Sequence, residues 1–209
     1  MKAWPLPPSD PNPVEKSAAD FGRRVRGLAR GVWAGEIDWL AFGDSMAWAI
    51  YRGYEQAWVE GAARCGIRPE ERSDRERIVL QREIVEDNQR IRGFADYLQA
   101  HTKALGFKLS TVLSRAEIWT NRYTAIVTLA QVTACADRKM VWYLGRTEKH
   151  CTDCFTYEGH VYRASIWTKY GALPQSRRLE CGGWRCDCRL VPTDAPVTPG
   201  HPHYPKGGR

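Results

Sequence analysis

The stretch from Cys151 to Cys188 constrains this chain more than any other. It reads C-T-D-C, then a spacer, then C-G-G-W-R-C-D-C, and it holds five of the seven cysteines. The two residues between Cys151 and Cys154 let both thiolates face one ion, while Cys181, Cys186 and Cys188 offer the other side. Zinc takes about four soft ligands in a tetrahedron, with Zn–S near ~2.3 Å. A close pair, a spacer and a second close group is the usual spacing of a structural site. Five candidates exceed four places, so one cysteine is spare. The choice lies in the C-D-C pair, whose thiols reach a common ion with difficulty, so that either Cys181 or Cys188 takes the fourth place. Two disulfides with a free thiol, or five unliganded thiols, are the competing readings. Disulfides call for an oxidising compartment, and the N-terminal residues lack the apolar core of a signal peptide. Cys65 and Cys135 fall in helical patterns, where a cysteine reads as a small buried hydrophobe.

At 209 residues the chain has material for one good core, or one core with a small satellite. A formal charge of +7 leads us to expect acidic partners, nucleic acid among them. Nine tryptophans favour buried aromatic contacts and interfaces. No apolar run is long enough to span a bilayer.

The composition divides the chain into four parts. Residues 1–16 carry five prolines and read as an extended arm, with Trp4 and Leu6 as apolar anchors that suit a neighbouring subunit. Residues 17–139 read as a helical domain. Phe21, Val25, Leu28 and Val32 recur at helical spacing, with Arg23, Arg24, Arg26 and Arg30 on other positions. That arginine cluster is a candidate for contact with DNA phosphates or with an acidic protein surface. Trp33, Ile37, Trp39 and Leu40 suggest a short second helix, and Gly43-Asp44 a fresh start with Asp44 or Ser45 as N-cap. A long charged helix is expected over 70–100, its apolar face made by Leu80, Ile84, Ile91, Phe94 and Leu98. The clearest helix follows Ser110, with Leu113, Ala116, Thr120, Tyr123, Val127, Ala130 and Ala134 three and four apart.

The character changes at Met140. Residues 140–191 read as a cysteine-rich zinc-binding module. Val141 to Gly145 forms a strand, a turn and a second short strand run from Tyr157 to Tyr162, a helical turn lies around Trp167, and Arg189 to Pro192 is a last strand. An ion would compensate for a core too small to hold alone. Residues 192–209 form a Pro/Gly-rich tail whose His201 and His203 are not expected to be ligands. The fold class is therefore mainly α: a helical N-terminal part, a small zinc-stapled α+β module and extended Pro-rich ends.

From Leu113 to Pro192 the chain resembles the phage head morphogenesis family, the minor head proteins similar to that of phage Mu. The resemblance runs through the helix S-R-A-E-I-W-T-N-R-Y-T-A-I, the strand V-W-Y-L-G, the turn C-T-D-C-F-T-Y-E-G-H-V-Y and the ending C-G-G-W-R-C-D-C-R-L-V-P. It implies a structural virion protein, a minor head or portal-associated component acting in head assembly. The implied partners are the portal and the major capsid protein. The implied location is the capsid or neck of the virion, with the host cytoplasm as the site of assembly. A zinc-containing nucleic-acid-binding protein is the alternative, favoured by Trp184-Arg185 between the cysteines. An enzyme is not expected. Asp153, Glu158, His160 and Asp187 lie near the cysteines in sequence, but the H-x-E and P-C-x-x-C pattern of a zinc deaminase is missing.

Overall fold

The computed structural model of the chain describes residues 18–147, 149–184 and 186–207. The proposed Pro-rich arm, with Trp4 and Leu6, lies outside the described residues. Four long helices come first: α1 (Ala18–Ala34), α2 (Trp39–Ala63), α3 (Asp74–Gln99) and α4 (Leu109–Ala134). A short 3-10 turn, Pro69–Glu71, precedes α3.

The helix starts follow local capping chemistry. Ser73 opens α3 with a capping box, its hydroxyl accepting from the Glu76 N–H while the Glu76 carboxylate accepts from the Ser73 N–H. Asp38 caps α2, accepting from the Ala41 N–H at 2.9 Å. The expected fresh start at Asp44 or Ser45 does not occur, because α2 runs unbroken through Gly43. A helical glycine costs only about 1 kcal/mol relative to alanine. Burial of Phe42, Met46, Ala49, Ile50 and Tyr54 along the same helix outweighs that cost. Trp39 likewise opens α2 instead of lying in a separate short helix.

The helices pack by close approach as much as by large side chains. Gly61 of α2 lies against the α4 backbone, where an added Cβ would stand 2.2 Å from the Val127 carbonyl oxygen. The core between the helices is aromatic. Phe21 lies 6.0 Å from Tyr54 and 5.7 Å from Tyr123 between ring centroids, and Phe94 bridges Phe42 and Trp119. The expected face of α3 is buried as drawn, through Leu80, Ile84, Ile91, Phe94 and Leu98. On α4 the buried face is broader than the stripe of small residues, because Val112, Trp119 and Ile126 join it.

Two charged residues of α3 also face inward. Glu76 accepts from the Trp58 indole N–H, and Asp87 is fully buried. Asp87 accepts from the Tyr54 hydroxyl at 2.6 Å, from Arg122 Nε at 2.9 Å and from Arg90 at 2.9 Å, and Arg177 reaches it from the C-terminal part of the chain. Burial alone would raise the Asp87 carboxyl, but the Arg122 and Arg177 guanidiniums and the Tyr54 hydroxyl bring it below the ordinary carboxylate value.

The remaining elements are short: β1 (Lys139–Tyr143), α5 (Thr152–Tyr157), β2 (Val161–Arg163), α6 (Ala164–Lys169) and β3 (Arg189–Pro192). The strands form an antiparallel sheet in the order β2-β1-β3, with Met140 opposite both Tyr162 and Pro192. Trp142, Tyr157, Tyr162 and Trp167 pack ring to ring beneath it. The fold is thus mainly helical, with a small three-stranded sheet region that carries the cysteines.

Two expectations change here. Cys65 and Cys135 are not separate buried hydrophobes but a bonded pair, with Cα atoms 5.7 Å apart, joining the C-terminal ends of α2 and α4. The described residues of the C-terminal tail do not hang free either. Thr198 donates its N–H to the Val161 carbonyl, the Tyr157 hydroxyl donates to the His203 carbonyl at 2.8 Å, and His201 stacks on Tyr170. Proline prevents this segment from forming regular structure, yet leaves its carbonyls available to the module.

Candidate metal centre

The five cysteines from which four ligands are expected converge. Cys151 is the N-cap of α5 and Cys154 lies one turn in, so the C-x-x-C pair is set by a helix start rather than by an open turn. Cys181, Cys186 and Cys188 come from the loop that leads into β3. Their sulfurs form two triads, Cys151-Cys154-Cys181 and Cys154-Cys186-Cys188, with the ligand atoms of each within 4.8 Å of one another. Cys154 belongs to both, so an ion held by either triad is held by Cys154.

The spacing fits a tetrahedral ion. Sulfurs ~2.3 Å from a central metal stand about 3.8 Å apart. Cys151 and Cys154 are 3.4 Å apart, and Cys154 and Cys186 are 4.0 Å apart, on either side of that edge length. The thiols are also electrostatically crowded. Hydrogen bonds with Cys181, Cys186 and Cys188 hold the Cys154 thiol far above its ordinary value, and the same contacts to Cys154 draw Cys186 and Cys188 down. A cation that binds four of these sulfurs as thiolates relieves this conflict. All-sulfur donors select soft ions.

The backbone around the sulfurs is pinned by side chains that sequence reasoning did not assign. The buried Asp153 carboxylate accepts from the Glu180 N–H at 2.7 Å and from the Lys206 N–H at 3.1 Å. Glu180 answers by accepting from the Thr152 N–H at 2.7 Å. That N–H is one of the orphan donors of the α5 start, and its bond to the carboxylate lowers the Glu180 pKa. The two acids therefore clasp the C-x-x-C helix to the residue before Cys181. Gln175 does the same for the other end. It is buried with φ 58°, and its amide N–H donates to the Cys186 and Cys188 carbonyls while its amide oxygen accepts from the Thr128 hydroxyl of α4 at 3.1 Å. Gly183 lets this happen. Its φ is +76°, and a Cβ there would meet the Gln175 carbonyl oxygen at 2.2 Å.

His150 was also missed. Its Nδ1 lies 3.8 Å from the Cys188 sulfur, at the edge of the cluster. Its position directly before Cys151 was the available signal. Beside Cys154 and Cys186, the buried Trp142 indole N–H also favours the ionised form of Cys188. N–H groups aimed at metal-bound sulfur are a common way to hold a thiolate in place.

The other acid and base candidates of the region have structural partners. Glu158 accepts from the Leu144 N–H at 2.6 Å, and Asp187 from the Arg146 N–H at 3.1 Å. Asp153 is committed to Glu180 and Lys206, and the His160 ring lies edge-on to Tyr162. Of the arginines proposed to meet DNA, Arg23 pairs with Asp20 and Arg26 with Glu117 at 3.5 Å. Arg30 is exposed and Arg24 is half-buried. His201 and His203 lie on the covering C-terminal segment, outside the two sulfur triads.

What the arrangement can do chemically is bind a soft metal in a sulfur cage and so fix the sheet, α5 and the loop before β3 to one another. Comparison with family models, curated proteins and solved structures finds no match to this chain.

Proposed function

We propose that this chain is a structural virion protein, a minor head or portal-associated component of phage head assembly, whose C-terminal module is clipped by one zinc ion. The observation that carries the reading is the kind of centre the cysteines make. It is all sulfur, Cys154 and Cys188 are buried while Cys151, Cys181 and Cys186 are half-buried, and the neighbouring acids are spent on backbone N–H groups. Such a site supports a closed structural zinc rather than a metal with an open catalytic position. The resemblance from Leu113 to Pro192 supports the virion role, because it spans the module and the α4 helix on which the module rests. Exposed Trp39 and Leu40 at the start of α2, with Leu105 and Phe107 before α4, supply apolar surface for a portal or major capsid protein. The implied location is the virion, reached by assembly in the host cytoplasm.

Two measurements test this. Metal analysis of protein purified without added metal should return one zinc per chain. Co-expression with portal and major capsid protein should place the chain in the assembled particle by sedimentation. A chain that stays at the top of the gradient in every combination overturns the assembly role.

The nucleic-acid-binding alternative is favoured by Trp184, which is 38% exposed on the cysteine loop and can present a stacking face. A gel shift at two salt concentrations separates the readings, since phosphate contacts weaken steeply with salt. Absence of a shift at low salt removes the alternative.

A further inference from the structure

Where the module meets the helical body there is a cleft of about 420 Å³, walled by α3, α4 and the loop between α6 and Gly183. Five arginines line it, and their bookkeeping is uneven. Arg122 is bound to Asp87 and Glu83, Arg177 to Asp87, and Arg90 to Asp87 and Glu86. Arg82 and Arg178 also face the cleft, are exposed, and have no carboxylate partner among the described residues. Arg178 is laid across Gly171, where any Cβ would stand 2.7 Å from its guanidinium, so the loop is shaped to let it lie there. Between the arginines the floor is apolar, made by Ala125, Leu129, Leu173 and Pro174.

We propose that this cleft docks an acidic peptide segment of a partner protein, with a carboxylate received by Arg82 and Arg178 and an adjacent apolar side chain on the floor. Guanidinium is the side chain best matched to a carboxylate, because its N–H groups form a planar fork. The apolar floor contributes area that a free inorganic anion could not use. Charge distribution favours peptide over nucleic acid: Glu83 and Glu86 stand in the same wall and would repel a continuous run of phosphates, whereas one or two carboxylates pass between them. The cleft goes beyond the assembly role and stands or falls separately from it.

The test uses the full zinc-loaded chain and a fluorescein-labelled peptide of alternating glutamate and leucine, read by anisotropy. A glutamine–leucine peptide and a thymidine oligonucleotide form the other arms. The acidic peptide should bind, more weakly as salt is added, and the glutamine version should not. Arg82→Glu and Arg178→Glu should each weaken binding roughly tenfold or more. Both positions are exposed, so the helical circular dichroism should stay unchanged, and Arg178→Lys should restore part of the binding. No binding of the acidic peptide, equal binding by the glutamine peptide, or binding indifferent to both charge reversals would each overturn the proposal. So would an oligonucleotide that competes for the same two arginines, which would reassign the cleft to nucleic acid.

Discussion

The helical body and the cysteine module solve the same problem, ordering a buried aromatic cluster, with different means. In the body, Phe21, Tyr54, Phe94 and Trp119 are held by four helices of seventeen residues or more, whose own hydrogen bonds and apolar faces supply the order. In the module, Trp142, Tyr157 and Trp167 sit among strands of three to five residues and helices of six. Elements that short do not persist alone. The module replaces length with cross-links: two sulfur triads that share Cys154, the Asp153–Glu180 clasp, and Gln175 reaching α4. Small cores commonly need such staples. The body should therefore survive loss of the metal, and the module should not.

Breaking the sulfur cage is the sharpest way to separate the two. Chelation, or Cys154→Ser, should abolish stoichiometric zinc and erase the near-UV signal of Trp142 and Trp167, while most far-UV helical signal remains. Structural zinc contributes on the order of 10 kcal/mol to the folding of small domains. If the helical signal collapses in step with the metal, the two regions form one cooperative unit.

Asp87 is the next largest effect, because it belongs to both regions. Asp87→Ala leaves Arg122 buried without its main partner and releases Arg177 from the module loop. A loss of about 3–5 kcal/mol is expected in urea denaturation. The same carboxylate gives a pH signature. Its folded pKa is depressed, so its stabilisation is complete above the ordinary carboxylate value of about 3.9 and is lost as pH falls through the lower folded value. Asp87→Asn should flatten that acid limb, which a pH series of melting curves reads directly.

Gly61→Val tests the body alone. It forces α2 away from the α4 backbone and should cost about 3 kcal/mol without altering zinc content. Gln175→Leu tests the seam and should cost about 1–2 kcal/mol, with faster zinc loss to chelator, since the Cys186 and Cys188 carbonyls lose their donor. A zinc off-rate unchanged by Gln175→Leu would show that the seam does not support the cage.

These contrasts also explain what could be read from the residues in order. The α3 face and the strand around Val141 were legible because helical apolar spacing and an apolar Val-Trp-Tyr run are local signals, although the strand spans Lys139–Tyr143 rather than Val141 to Gly145. The convergence of the cysteines was legible from spacing alone. Asp87 was not, because an aspartate in a run of charged helix residues reads as surface, and its partners Tyr54, Arg122 and Arg177 are 33, 35 and 90 positions away. Cys65 and Cys135 are 70 positions apart, so nothing local marks them as a pair. Asp44 or Ser45 reads as the cap because Gly43 looks like a break, whereas burial along α2 carries the helix through Gly43 from its cap at Asp38. Glu180 and Gln175 hold the cage through bonds to backbone, which leave no trace in composition.

The covering segment sets an order of events for synthesis. Asp153 keeps its carboxylate on two N–H groups, those of Glu180 and Lys206, and Tyr157 waits for the carbonyl of His203. As the chain leaves the ribosome, the four helices have all their mutual partners long before residue 206 emerges. The cysteine module acquires its last ones only then. Closure of the covering segment thus falls at the end of folding, when the helical surface that receives the module already exists.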